Sequence, residues 1–295
     1  MTFKFSIIII GYNSLYTLKK LLSSLNNLDT QNVDLEIVYI DDGSTDNSMA
    51  YFQSYKLDCK KTNYQFSKNK GRVYATNAGI VRASGDWLLF IQSNVTVDAQ
   101  LLQHYIHGII NCKKLIFAGS IIYQSEDVVL QRYLNNKKRG INAYKQYQAI
   151  DFSHLLFGNC LIHNSVFKKI KLNLKLSSYG GEELDFAFNA QSHFPNTMVA
   201  CPKSKVTRIH FPNLKQHCKR LEEYGENNLS VLSPTLQKKV IKLPFLLIKI
   251  PGIQCLIFIL YRFGLVVYKT TLLPQIIMRF IFWLAILNGY YKKIK

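Results

Sequence analysis

No two of the six cysteines, at positions 59, 112, 160, 201, 218 and 255, stand in C-x-x-C spacing, and they form no short-range pairing pattern. That excludes a zinc module and a disulfide framework and fits a reducing compartment. Acidic side chains are scarce, 18 against 37 lysines and arginines for a net charge of +19. The imbalance suits an anionic partner, either a phosphorylated substrate or an acidic membrane surface. The basic residues are scattered, however, and no stretch matches a nucleic-acid module, so DNA and RNA are not expected partners. The apolar run Ile7 to Ile10 before Gly11 is shorter than the core of a secretory signal, and no export signal is expected at that end. Long uninterrupted apolar runs are missing too. Ile253 to Tyr268 contains Gln254 and Arg262, and Leu272 to Tyr291 contains Pro274 and Arg279.

The 295 residues suffice for one large domain with an appendage. Strand-like and helix-like segments alternate through residues 1–235, which reads as an α/β domain, and residues 236–295 read as an apolar helical tail. Each tail segment is at or below the length that spans a bilayer and carries an internal charge. Helices lying in the membrane interface are therefore expected over 243–291, with flanking lysines toward anionic lipid. An inserted hairpin and a soluble helical appendage are the alternatives.

What is present is a set of strands that end in polar tips. Ser6-Ile7-Ile8-Ile9-Ile10 runs into Gly11-Tyr12-Asn13-Ser14, and Leu18, Leu21, Leu22 and Leu25 then recur at helical spacing. The apolar run Leu35 to Ile40 ends in Asp41-Asp42-Gly43-Ser44-Thr45-Asp46, and Trp87 to Ile91 ends in Gln92-Ser93-Asn94. In an open α/β sheet, ligands bind at the carboxyl ends of the strands, although Asp-Gly-Ser-Thr-Asp is also good turn chemistry anywhere. Farther on, Leu115 to Ile122 reads as a strand and residues 124–150 as a loop with short helices. Val199 to Cys201 and Val206 to His210 read as two short strands, and Leu214 to Leu232 as a polar helix. Tyr179-Gly180-Gly181-Glu182-Glu183-Leu184-Asp185 suits a helix start, where the macrodipole favours carboxylates with or without chemistry.

Several of these motifs agree in order. Ile7 to Asn13, Asp41 to Ser48, Asn69-Lys70-Gly71, Asn77-Ala78-Gly79-Ile80, Ala83-Ser84-Gly85-Asp86 and Gly181-Glu182-Glu183 together resemble the family 2 glycosyltransferases over roughly residues 3–215. The resemblance implies a GT-A fold, Rossmann-like, with a mostly parallel central sheet flanked by helices. It also implies a nucleotide-diphosphate-sugar donor. Asp42 is then similar to the residue that contacts the nucleobase, with Tyr12, Asn13 and Asp41 around it and Asn69, Gly71 and Asn77 shaping the cleft. Glu183, beside Glu182, takes the place of the general base of inverting enzymes, which removes the acceptor hydroxyl proton as the oxygen attacks the anomeric carbon. Gly158, Asn159 and Asp185 fall on the acceptor side.

The sequence departs from the family at Gln92-Ser93-Asn94, where an Asp-x-Asp motif would hold Mg²⁺ or Mn²⁺ on the donor diphosphate. Both acidic positions are amides, which weakens the hold on a metal or makes the metal dispensable. The leaving diphosphate still needs stabilising. Three readings stay open: a metal held by the phosphates, Asn94 and His210; cations such as Lys70, Arg72, Lys205 or Arg208 in its place; or a fold that binds without transferring. A second departure is Asn189, where the family often carries Arg. No Gln-x-x-Arg-Trp sequence or multispan region suggests a processive synthase. The expectation is an inverting enzyme that adds one sugar to a glycan or lipid-linked acceptor of surface polysaccharide, at the cytoplasmic face of the cell membrane and without an organic cofactor. The alternative is an accessory subunit binding nucleotide-sugar or glycan.

Overall fold

The computed structural model describes residues 2–242, 252–270 and 274–294. Strands β1 (Phe3–Gly11), β2 (Val33–Asp41), β3 (Lys60–Gln65) and β4 (Trp87–Gln92) alternate with helices α1 (Leu15–Leu25), α2 (Ser48–Ser54) and α3 (Arg72–Arg82). Next come β5 (Val95–Val97), α4 (Leu101–Cys112), β6 (Ile116–Ser125), α5 (Val128–Leu134), β7 (Asn159–His163), α6 (Ser165–Lys169), α7 (Glu182–His193) and β8 (Met198–Phe211). Helices α8 (Leu214–Glu223), α9 (Pro234–Ile241), α10 (Ile253–Val267) and α11 (Pro274–Ile294) follow. The strands form one sheet in the order β3-β2-β1-β4-β7-β6-β8-β5. Its first half is parallel, while β7 runs antiparallel to both β4 and β6. The α/β sheet expected from the sequence is thus present, with a mixed second half.

Alternation along β1 explains the layering. Ile7 and Ile9 point into one apolar cluster with Leu18, Leu21, Leu22 and Phe52, whereas Ile8 points into the other with Val38, Leu88 and Phe90. A strand covered on both faces reads as a continuous apolar run, which is why β1 and β4 were conspicuous in the sequence. The edge strand β3 is polar and half-exposed, Lys60-Lys61-Thr62-Asn63-Tyr64-Gln65, and gave no such signal. The two strands expected near 199–201 and 206–210 are one strand, β8. Its pairing with β6 jumps from Cys201 opposite Gly119 to Lys205 opposite Ser120, so Pro202, which has no N–H for the ladder, bulges out with its neighbours.

The polar stretch 214–232 is helical but not one regular helix: α8 passes into a π-helical turn at Tyr224–Asn228 and a 3₁₀ turn at Leu229–Val231. Helix α11 lies against this segment. Met278, Ile281, Leu284, Ala285 and Leu287 are buried in the same cluster as Leu214, Cys218 and Tyr224. The backbones touch, since a Cβ on Gly225 would strike the Ile286 carbonyl and one on Gly289 the Glu222 carbonyl. Glu222 ties the helices together, accepting from Tyr261 Oη at 2.8 Å, Asn288 Nδ2 at 3.2 Å and Lys292 Nζ at 2.7 Å. Outward, α10 exposes Leu256, Ile259, Phe263 and Val266, and α11 exposes Ile276 and Phe280. Among the described residues no helix is long and apolar enough to cross a membrane. The expected interfacial segment 243–251 lies outside the described residues.

Candidate active site

The strand tips are sewn together at the point where the chain order reverses about β1. Asp42 N–H donates to the Gly11 carbonyl at 2.8 Å, Ser93 N–H to Ile10 at 3.1 Å and Ile209 N–H to Asn94 at 2.9 Å. The carboxyl ends of β1, β2 and β4 and the end of β8 therefore share one floor, the position at which open α/β sheets bind ligands. A cleft of about 680 Å³ lies on it, a volume within the usual range for small-molecule sites. Tyr12, Asn13, Asp42, Asn69, Gly71, Gln92, Asn94 and His210 all line it.

Part of the cleft is shaped by backbone. The Asp42 carboxylate is nearly buried and accepts from Lys70 N–H at 2.8 Å and Gly71 N–H at 3.0 Å, clasping the loop before α3. Burial pushes its pKa up, and those two N–H groups partly offset the shift. Gly71 sits at φ +93°, and a Cβ there would strike the Ser177 carbonyl, so this loop passes where a side chain cannot go. Asn13, at φ +45°, accepts from Thr45 N–H at 2.8 Å and donates its own N–H to Ser44 Oγ at 2.8 Å. Asp46 accepts from Leu15 N–H at 2.9 Å, fixing the start of α1.

The cleft also carries charge. Arg72 lines the cleft and is ion-paired behind it with Glu182 and, at 3.6 Å, with Glu183. Burial opposes the guanidinium charge, but the two carboxylates outweigh it and hold the pKa up. Glu183 also accepts from Phe157 N–H at 3.1 Å. Burial raises its pKa, Arg72 pulls it back and Glu182 pushes it up again. The two acids differ in access: 14% of the Glu183 side chain is exposed against 1% of Glu182. Both stand behind Arg72 rather than on the cleft wall.

Several expected residues do other work. Asp41 is fully buried and does not reach the cleft: it accepts from Ser44 N–H at 2.6 Å and Tyr39 Oη at 3.3 Å, closing the turn after β2. Asn159 is buried within the sheet, accepting from Tyr105 Oη at 2.8 Å and donating to the Ser120 and Ser204 carbonyls. Gly158 abuts the Ile121 side chain. Asp185 is buried on α7, where burial raises its pKa, and it accepts from Asn189 Nδ2 at 3.4 Å. Asn77 lies on α3, outside the cleft lining. Conversely, Tyr179, Arg208, Arg220 and Glu223 line the cleft. Arg208 had been one of several candidate cations, while Arg220 and Glu223 sit in a charged helix with nothing to mark them.

A divalent ion on a donor diphosphate would face Gln92 and Asn94. Asn94 Oδ1 is buried without a hydrogen-bond partner and offers one neutral oxygen. His210 is exposed, its ring 5.2 Å from that of Tyr16. Among the described residues no three His, Cys, Asp or Glu side chains converge as a metal-holding group. Mg²⁺ ordinarily takes one or two carboxylates besides phosphate, and Gln92, Asn94 and His210 supply none.

Comparison with known proteins agrees with the geometry. The family model for glycosyl transferase family 2 matches residues 6–171. The uncharacterized glycosyltransferase YfnE of Bacillus subtilis is 29% identical over 116 residues, which cover 39% of this chain and 29% of that protein. The fold is that of the Staphylococcus aureus TarS fragment 1–349 in complex with UDP-GlcNAc, with a TM-score of 0.58 and 14% identity over 99% of this chain and 92% of that one. It is also that of the mannosyltransferase PcManGT from Pyrobaculum calidifontis in complex with GDP-Man and Mn²⁺, with a TM-score of 0.65 and 12% identity over 99% and 88%.

Proposed function

The chain belongs to glycosyl transferase family 2, and we propose that it is an inverting enzyme that moves one sugar from a nucleotide-diphosphate-sugar to a glycan or lipid-linked acceptor. The observation that carries this reading is the cleft at the strand tips, which brings the Lys70–Gly71 loop clasped by Asp42 together with Arg72, Arg208 and Arg220. A nucleotide-sugar asks for both, a shaped pocket for its base and cations for its diphosphate. Solved relatives of the same fold hold UDP-GlcNAc and GDP-Man, which supports a donor of this class. Glu183 is the general base: it is the more accessible carboxylate at the start of α7, and its raised pKa suits proton abstraction. It takes the acceptor hydroxyl proton while the oxygen bonds to the anomeric carbon and the bond to the diphosphate breaks, which inverts that carbon.

The acceptor belongs, on this proposal, to a surface-polysaccharide pathway at the cytoplasmic membrane face. The support is the exposed apolar row on α10, which has Arg262 within it and Lys269 at its end. An accessory subunit that binds nucleotide-sugar without transferring is the second reading, favoured by the amides at 92 and 94.

The test is a panel of UDP- and GDP-sugars with the purified chain, following donor cleavage and, in any product, the anomeric configuration by NMR. Inverted product with Glu183→Gln slowed about 100- to 10,000-fold is expected. Because the Glu183 carboxyl is raised, activity falls as pH drops through a value above the ordinary glutamate range. Bound but uncleaved donor selects the accessory reading, and retained configuration rejects the inverting mechanism.

A further inference from the structure

Arg72, Arg208 and Arg220 reach the cleft from three distant parts of the chain, α3, β8 and α8. Arg72 has Glu182 and Glu183 as counter-ions. Arg208 and Arg220 have no carboxylate in ion-pair contact among the described residues, and Arg208 Nε is buried without a hydrogen-bond partner. The guanidiniums of Arg72 and Arg220 flank the Tyr179 ring at 5.6 and 5.8 Å from its centre, and Arg208 lies over Phe211 at 5.0 Å. Arg208 is also pinned beside the amide motif, since it pairs with Val95 and the next residue, Ile209, donates to the Asn94 carbonyl at 2.9 Å.

Like charges are brought together here, and although Glu223 lines the same cleft, neither Arg208 nor Arg220 is in ion-pair contact with an acid among the described residues. Burial and the neighbouring Arg72 and Arg220 push the Arg208 pKa down. The same field reaches His217 on α8: burial first, then Arg208, Arg220 and Arg139, hold its imidazole down at about 3. Perturbed charged groups of this kind cluster at functional sites. Guanidinium forks match phosphate oxygens, which removes the need for a metal as counter-charge.

We propose that Arg208 and Arg220 are the counter-charge for the donor diphosphate, so that donor binding and departure of the diphosphate proceed without the kind of metal ion, Mn²⁺, that accompanies GDP-Man in a solved structure of the same fold. This rests on reading the cleft as a donor site. Arg208 replaces the charge lost at Gln92 and Asn94 from the adjacent strand, and Arg220 closes the site from α8. Both neutralise the diphosphate as the bond to the sugar breaks.

The experiment measures binding of UDP and GDP, each against its parent nucleoside, to the full chain in EDTA and in Mn²⁺. Wild type binds one diphosphate in EDTA within about threefold of its affinity in Mn²⁺. Arg208→Gln and Arg220→Gln each weaken the diphosphate about 10- to 100-fold, the loss expected for charge-assisted hydrogen bonds, and leave the nucleoside unchanged. Unchanged nucleoside binding certifies folding, and Arg208→Lys recovers part of the loss. Binding that needs Mn²⁺ in wild type overturns the proposal while leaving the donor site standing. Arginine variants that spare diphosphate binding do the same. Failure of every nucleotide and nucleoside, with or without Mn²⁺, removes the donor reading itself.

Discussion

The cleft wall is built in two parts by different means. One part is the work of backbone: Asp42 holds the Lys70 and Gly71 N–H groups, Asn13 holds Thr45, and Gly71 lies against the Ser177 carbonyl. The other part is an assembly of charged side chains drawn from α3, α7, β8 and α8. The first construction gives shape and has both Asp42 oxygens satisfied in place. The second leaves Arg208 and Arg220 out of ion-pair contact with any acid among the described residues. A cleft of this design recognises one part of its ligand by fit and the other by charge, and the two can be damaged separately.

The largest effect on stability is expected in the charged part. Arg72→Ala leaves Glu182 and Glu183 buried beside one another with their cation gone. Breaking a buried pair from one side costs about 3–5 kcal/mol, which denaturant unfolding at pH 7 measures. The deficit shrinks as pH falls, because protonating either acid removes the uncompensated charge. A variant within 1 kcal/mol of wild type would mean that the two glutamates do not depend on Arg72, and the contrast between the two parts would fail.

A smaller loss is expected where α11 meets the segment after α8. Gly289→Ala places a methyl against the Glu222 carbonyl, and overpacking of that kind costs about 1–3 kcal/mol. Since Glu222 immediately precedes Glu223 and follows Arg220 by two residues on α8, the strain is expected to reach the charged part of the cleft as well. Diphosphate affinity should therefore drop in this variant while nucleoside affinity stays level. Equal losses for both ligands would show that α8 supports the whole cleft rather than one part of it.

This division also decides what could be read in the sequence. Strands β1, β2 and β4 were legible because strands buried on both faces are continuous apolar runs, and their polar tips marked the floor. Asp42, Gly71, Asn94 and Tyr12 followed from short local motifs. The acids Glu182 and Glu183 were legible too, as carboxylates at a helix start, but not their screening by Arg72, which depends on how α3 and α7 pack. Asp41 closes a turn and Asn159 is bonded within the sheet, and a polar residue in a motif looks the same whether it faces a ligand or closes a turn. Arg220 lies in a helix crowded with charge, where nothing periodic separates one arginine from the next. Helix α11 was read from composition as a membrane element, yet its buried row of Met278, Ile281, Leu284 and Ala285 packs on α8.

The apolar side chains on the outside of α10, like Ile276 and Phe280 on α11, face away from the fold, and replacing them gives the smallest expected effect on stability. Phe263 is 63% exposed and Val266 76% exposed. Replacing both by serine removes almost no buried area, so unfolding free energy should stay within about 0.5 kcal/mol. Interfacial binding instead scales with the apolar area that enters the headgroup region and with attraction to anionic lipid. The same variant should therefore lose most of its sedimentation with vesicles containing anionic phospholipid, while wild type sediments and is released by salt as its basic residues are screened. Nucleotide affinity should not move, since neither residue lines the donor cleft. If the variant sediments as wild type does, the apolar row is not a lipid contact, and the tail's role ends with the support that α11 gives α8.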